Sequence, residues 1–409
     1  TPHPFGNGEH RWSLSSWSNG NSGCTEQRSE WVSHENHFLE MNNAHKSQEK
    51  NWIKDKSNGI LVKIRRGEVK PVSQYILYND DVQVAVFSVH SSVITEFFPQ
   101  KPELLPKQIC HATADGFASW LRERAVDLNS VKHRNLMNEL VGSRDRTTIA
   151  LRTHMFSISD TFTCFEEGEF TPRLQLCQPE DQNAVSDFIL VSSDTSLRKL
   201  RISTPNASTD GSFTKTWKNE NGDWWLYKLQ PSAATRIEVG ISRVLQSIGW
   251  DAAEYRYVGK FLKRVKTRNF VQPEEFFEPY DSFRFFFDDP SDDDDVIYRN
   301  IASLGTEFEE AWKRILLADA VFVNTDRHMR NFGVIRSSRT GEVLRLAPNF
   351  DNNQAYLASP SGTYSDGMLK LYMKQADERD YLYLKVLTDE MKKYPYLKHA
   401  FEACQAFLK

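Results

Sequence analysis

The sequence predicts an α+β chain of two lobes, a small and mostly antiparallel β lobe followed by a mainly helical larger one, with an extra segment ahead of both. Three observations carry that expectation. Short apolar runs broken by Asn, Asp and Gly recur at 75–87, 224–229 and 332–346 and read as antiparallel strands. Two stretches, 237–248 and 308–323, instead place apolar residues three and four apart, as helices with one buried face do. The first 70 residues show little of either period.

The 409 residues suffice for two or three domains. Apolar residues make up 39% and charged residues 26%, an ordinary balance for a globular chain. Lys+Arg number 51 against 55 Asp+Glu, so the net charge is −4, which argues against a nucleic-acid-coating or polybasic membrane-surface protein. The apolar run Ile315–Val323 is broken by Asp319 and is far short of the ~20 residues a spanning helix needs. No charged leader followed by an apolar stretch opens the sequence, so no secretory signal is expected there. Cys24, Cys110, Cys164, Cys177 and Cys404 are scattered, with no CxxC pair, and read as reduced thiols of a cytoplasmic protein. His34 and His37 have a metal-compatible spacing but no accompanying ligands, so they are read as polar-loop residues.

The predicted divisions are an N-terminal segment over 1–70, a subdomain over 71–195, a small lobe over 196–270 and a large lobe over 271–409. Within the first, Trp12–Gly23 is rich in Ser, Asn and Gly, a composition without a packed core. Tyr75–Tyr78 and Val82–Phe87 flank an Asn79–Asp81 turn. Residues 110–126 read as a helix burying Phe117, Trp120 and Leu121. Ser203–Trp217 reads as a polar loop, Lys218–Asp223 as a hairpin-like turn, and Trp224–Leu229 as a strand with Trp224, Leu226 and Lys228 on one face. The next helix carries Ile237, Ile241, Val244, Leu245 and Ile248 on its apolar stripe and stops near Gly249. Residues 259–280 look hinge-like, and the acidic run Ser291–Asp295 reads as a solvated loop. The helix over 306–323 buries Phe308, Trp312, Ile315, Leu316 and Val323, with Asp319 on the same face. A buried carboxylate needs a donor, so Asp319 is expected to brace the loop that follows.

That loop is Asn324–Asn331. A strand at Phe332–Ile335, a turn at Ser337–Gly341 and a strand at Glu342–Leu346 lead to Ala347, Pro348, Asn349, Phe350 and Asp351. Asp326 and Asn331 have four residues between them, the spacing of the protein-kinase catalytic loop. Phosphoryl transfer needs one carboxylate to orient the attacking hydroxyl, and an amide plus a second carboxylate to hold Mg²⁺ against the nucleotide phosphates. A short hairpin returns the chain so that Asp351 can lie across from Asn331. Positioning and charge neutralisation supply most of such catalysis.

Asn324-x-Asp326-x-His328-x-x-Asn331 with the later Ala347-Pro348 and Asp351 resembles the signature of the HipA-like serine/threonine kinases of bacterial toxin–antitoxin systems. Thr209–Ser212 ahead of a lysine-bearing strand, and Asn269–Phe270 after the smaller lobe, agree with it. The resemblance covers about 74–409 and leaves 1–70 outside. It implies a two-lobed protein-kinase-like fold, related to that of the phosphoinositide kinases, with ATP and Mg²⁺ bound between the lobes. Carried over by position, Asp326 is the catalytic base, Asn331 and Asp351 are the metal ligands, and Asn324 and His328 brace the loop. It further implies a protein substrate with a Ser or Thr acceptor, a growth-arresting role, and a small helix-turn-helix antitoxin as partner.

The resemblance points to Lys228 as the phosphate lysine, although a strand lysine between aromatic residues is more often a surface residue with a packed stem. Its carboxylate partner would be Glu238, with Glu254 as the competitor. Only Gly211 lies in the preceding loop, so there is no G-x-G-x-x-G. Backbone N–H groups of Asp210, Gly211, Ser212 and Phe213 can still form an anion nest. By resemblance the same loop holds the self-phosphorylation candidates Ser212, Thr214 and Ser208. Two other readings stay open: a related enzyme with a lipid or small-molecule acceptor, disfavoured by the lack of a basic amphipathic anchor, and a nucleotide-binding pseudokinase.

Overall fold

The computed structural model describes residues 72–126, 128, 131–176, 179–191, 203–207, 214–259, 264–355 and 365–409, all within one compact unit. The N-terminal stretch 1–70 with His34 and His37, Cys177, and the loop residues Ser208, Asp210, Gly211, Ser212 and Phe213 lie outside the described residues.

The first sheet begins with β1 (Ser73–Asn79), β2 (Val82–His90) and β3 (Val93–Pro99). Asp80 takes a positive φ of 53° in the tight β1–β2 turn, a conformation Asp tolerates better than most residues. Helices α1 (Ala114–Glu123), α2 (Val131–Leu140) and α3 (Arg146–Arg152) follow, then β4 (Phe162–Glu166), α4 (Arg173–Leu176) and α5 (Pro179–Val191). The strand order is β3-β2-β1-β4, antiparallel throughout. The helix expected over 110–126 starts later, because the Thr113 side chain accepts the Gly116 N–H and caps it there. Phe117, Trp120 and Leu121 are buried as expected.

The second sheet has the order β5-β6-β8-β7, built from β5 (Thr214–Glu220), β6 (Asp223–Leu229), β7 (Tyr255–Tyr257) and β8 (Arg264–Arg268), with α6 (Ser232–Ser247) between β6 and β7. Thr214–Trp217, expected as loop, is therefore strand. Its Thr and Lys residues hide the alternation, and pairing with β6 supplies what local propensity lacks. Asn221 and Gly222 both have positive φ at the β5–β6 turn, the conformation a two-residue hairpin requires. The α6 stripe Ile237, Ile241, Val244 and Leu245 is buried, not against its own sheet alone but in the main core of the helical lobe.

The third sheet is β11-β10-β9, from β9 (Glu275–Pro279), β10 (Gly333–Ser337) and β11 (Val343–Leu346). Between β9 and β10 run α7 (Tyr280–Phe283), α8 (Asp294–Ser303) and α9 (Thr306–Phe322). The chain closes with α10 (Gly367–Met373), α11 (Glu378–Met391) and α12 (Lys398–Phe407). Two expectations change here. The hinge-like stretch 259–280 contains β8 and β9, and the acidic run ends as the cap and first turn of α8, with Asp293 accepting the Asp295 N–H. The expected α+β class holds: small antiparallel sheets, and a helical lobe whose core gathers residues of α6, α9, α10, α11 and α12.

Among the described residues no helix is long and apolar enough to cross a membrane. Cys110, Cys164 and Cys404 are buried free thiols, and burial pushes the last two up to about 12.

Candidate active site

Helix α9 ends where the loop begins. Val323 adopts a left-handed conformation, φ 51° and ψ 50°, with its N–H on the Asp319 carbonyl. A β-branched residue there is strained, and the strain is held by what lies next to it. Arg327 is wholly buried and makes a two-pronged ion pair with Asp319, Nε to Oδ2 at 2.8 Å and Nη2 to Oδ1 at 2.9 Å. It also donates to the Asn331 and Phe350 carbonyls and to the side chains of Asn349 and Asn352. Asn324 donates to Asp319 at 3.0 Å and to Asn352 at 3.2 Å. One buried guanidinium thus ties the end of α9, the loop and the segment carrying Asp351 into a single unit.

On that frame Asp326, His328 and Asn331 face the same cleft as Asp351 and Lys228, a cavity of about 600 Å³. The opposite wall comes from the second sheet. Lys215 and Lys228 are cross-strand partners on β5 and β6, and both line the cleft. Lys228 Nζ is 2.7 Å from Glu238 Oε1 and 2.7 Å from Asp351 Oδ1, the latter 123 residues away in sequence. Burial opposes charge on Lys228, yet the carboxylates of Asp351 and Glu238 outweigh it and hold the ammonium well above the usual lysine range. Glu254 instead pairs with Arg256. For Asp351 burial would raise the carboxyl, but the charges of Lys228 and Lys215 prevail and pull it well below the aspartate range.

The outer wall is made by Asn269, Phe270, Phe277 and Phe350; the Phe270, Phe277 and Phe350 rings lie 5.4 to 5.7 Å apart. Such an aromatic wall suits a planar ring.

The structure places Asn324 as a brace and leaves His328 at the cleft surface, where Nδ1 accepts the Arg330 N–H. Most of the bracing is done by Arg327, which sequence reasoning passed over although the unpaired Asp319 was asking for a donor. Lys215 and Tyr255 were also missed, and each is legible only through strand pairing. Thr214 is the first residue of β5, opposite Leu229.

The oxygen donors present fit a hard divalent cation. Asn331 Nδ2 donates to the Asp326 carbonyl at 3.0 Å, leaving Oδ1 as the atom available for ligation. Asn353 donates to Asp351 Oδ1 at 3.0 Å while its own Oδ1 is buried without a partner among the described residues. No group of three His, Cys, Asp or Glu able to hold a metal occurs among the described residues. One carboxylate plus amide oxygens matches a Mg²⁺ site completed by substrate phosphates and water.

No protein-family model matches the sequence, and no curated protein matches it either. Solved structures do. The chain is similar to the HipA component of a Shewanella oneidensis MR-1 complex of HipA, HipB and operator DNA. That match has a TM-score of 0.49 and 11% identity, and covers 82% of this chain and 97% of that one. It is also similar to the Helicobacter pylori proinflammatory kinase CtkA, with a TM-score of 0.37 and 14% identity over 47% of this chain and 88% of that one. Likenesses this distant leave the chemistry of the site to be read from its own geometry.

Proposed function

We propose that the chain is a phosphotransferase of the HipA type, moving the γ-phosphoryl group of ATP to a protein Ser or Thr hydroxyl. One observation supports this above all: Lys228, Asp326, Asn331 and Asp351, from three separate parts of the chain, share one cleft, with Lys228 held between Glu238 and Asp351. Asp326 orients the acceptor hydroxyl and receives its proton. Lys228 and Lys215 neutralise phosphate charge. Asn331 and Asp351 would hold Mg²⁺, which when bound supplies charge neutralisation at the phosphates. The aromatic wall offers the nucleobase a stacking face. On the resemblance of its motifs, the growth-arresting role, self-phosphorylation at Ser208, Ser212 or Thr214, and a helix-turn-helix antitoxin partner are part of the same proposal.

The test is transfer of labelled phosphate from ATP by the purified chain, to itself and to proteins in lysate, beside Asp326→Ala. Transfer by the wild type alone is expected, with nucleotide affinity by calorimetry largely kept in the variant. Nucleotide binding without any transfer would favour a pseudokinase, and labelling of lipid or small molecules alone would move the acceptor class.

A further inference from the structure

Tyr255 on β7 is buried and lines the cleft, and Lys228 Nζ lies 5.3 Å from its ring centroid. A phenylalanine would fill the same space, so the buried hydroxyl needs a reason. Its one hydrogen-bond partner among the described residues is the backbone N–H of Asp351, which donates to the phenol oxygen at 3.0 Å from 96 residues away. The carbonyl of that same peptide group belongs to Phe350 and accepts from Arg327 Nη1 at 2.7 Å. A trans peptide points its N–H and C=O in opposite directions. The Phe350–Asp351 peptide is therefore gripped from both sides, by the second sheet through Tyr255 and by the catalytic-loop frame through Arg327.

That grip matters because Asp351 has φ 58°, a left-handed conformation that costs a non-glycine residue free energy unless its surroundings impose it. The orientation of the preceding peptide plane is coupled to this φ. If the plane turned, Asp351 would relax toward an ordinary conformation and its carboxylate would leave Lys228. Arg327 has several other partners, whereas the Tyr255 hydroxyl has this one among the described residues.

We propose that Tyr255 is a positioning residue: it anchors the Asp351 backbone from the small sheet and so aims the Asp351 carboxylate at the cation-binding point. This rests on the phosphoryl-transfer reading for what the cation does, but the anchoring itself is a property of the chain.

Tyr255→Phe removes one oxygen and keeps the ring. Two measurements on the full chain test the proposal. Amide hydrogen exchange reads the hold on Asp351 without any ligand, and calorimetry with ADP, in Mg²⁺ and in EDTA, reads what the hold does for the cation. The expected result is faster exchange at Asp351 and an affinity gain from Mg²⁺ that is smaller by about fivefold, the weight of one hydrogen bond. ADP affinity in EDTA and the melting temperature should stay close to wild type. Unchanged exchange at Asp351 overturns the proposal, as does an undiminished Mg²⁺ gain, or a loss of equal size with and without Mg²⁺. A wild-type chain that shows no Mg²⁺ gain overturns the phosphoryl-transfer reading, and the role assigned to Tyr255 falls with it; a wild-type gain kept intact in Tyr255→Phe overturns the role alone.

Discussion

Asp326 is an exposed residue whose carboxyl is only partly desolvated in the cleft; that partial desolvation raises it above the usual aspartate value, the His328 charge opposes this and the Asp351 charge adds to it, with the balance upward. Two consequences have opposite signs. As the proposed base, Asp326 must be unprotonated, so transfer should fail on acidification at a higher pH than an ordinary aspartate would dictate, which a pH profile of kcat/KM, reporting the free chain, would show. A raised carboxyl also means the native state holds its proton more tightly than the unfolded chain. Ionised Asp326 therefore costs stability above its native pKa, and the cost vanishes once the pH falls below the usual 3.8. Asp326→Asn should abolish transfer and raise the melting temperature at neutral pH only slightly, because solvent screens an exposed carboxylate, the gain shrinking toward zero in acid, as thermal scans across pH would record. Asp351 is the reverse case, held ionised by Lys228 and Lys215. Its charge favours the fold above the unfolded pKa, and that favour is lost only in strong acid. That Asp326, Asn331 and Asp351 line one cleft was legible in the sequence because two of them sit at a fixed loop spacing and the third follows one hairpin later. The placement of Lys215, Arg327 and Tyr255 was not, because nothing in their local sequence says which side chain each will meet.

Among the elements, α9 and the loop after it act as one piece. The helix should continue by propensity through Val323, yet the left-handed turn there ends it, imposed by the Asp319–Arg327 pair and the Asn324 bonds. Breaking a buried pair by removing one partner leaves an uncompensated charge and costs about 3–5 kcal/mol. Arg327→Met should lose stability on that scale in chemical denaturation and lose transfer as well. Asp319→Leu combined with Arg327→Met should recover much of the stability, since no lone charge is left buried, but not the activity, since the loop and the Asp351 segment lose their common tie. The strands were read unevenly for a plain reason. β6, β10 and β11 alternate or run apolar within themselves, while β5, β8 and β9 are rich in Lys, Arg, Thr and Glu and owe their state to neighbours.

Across the molecule, a second buried arginine joins distant parts. Arg336 on β10 pairs with Glu278 on β9 and donates to the Glu103, Leu105 and Gly341 carbonyls. The Glu278 carboxylate also accepts the Lys107 N–H and the Ser282 hydroxyl. Gly341 passes so close that a Cβ there would meet the Glu103 carbonyl at 2.1 Å. This clamp fastens the 103–107 segment, which follows β3 in the first sheet, to the hairpin that follows the Asn324–Asn331 loop. Arg336→Met should cost about 3–5 kcal/mol, measured by denaturant, and should speed amide exchange at Lys107, whose acceptor would lose its counter-charge. Unaltered exchange there would show that the clamp holds nothing. By itself the sequence determined the α+β class, the two amphipathic helices and the spacing of Asp326, Asn331 and Asp351, because periodicity and short-range spacing are local quantities that survive without knowledge of the fold. Only the tertiary structure decided that Glu238 and not Glu254 meets Lys228, that Arg327 is the central tie and that Tyr255 grips Asp351. Those are contacts between residues brought together by packing, and burial, which gives each of them its energy, exists only once the chain has folded.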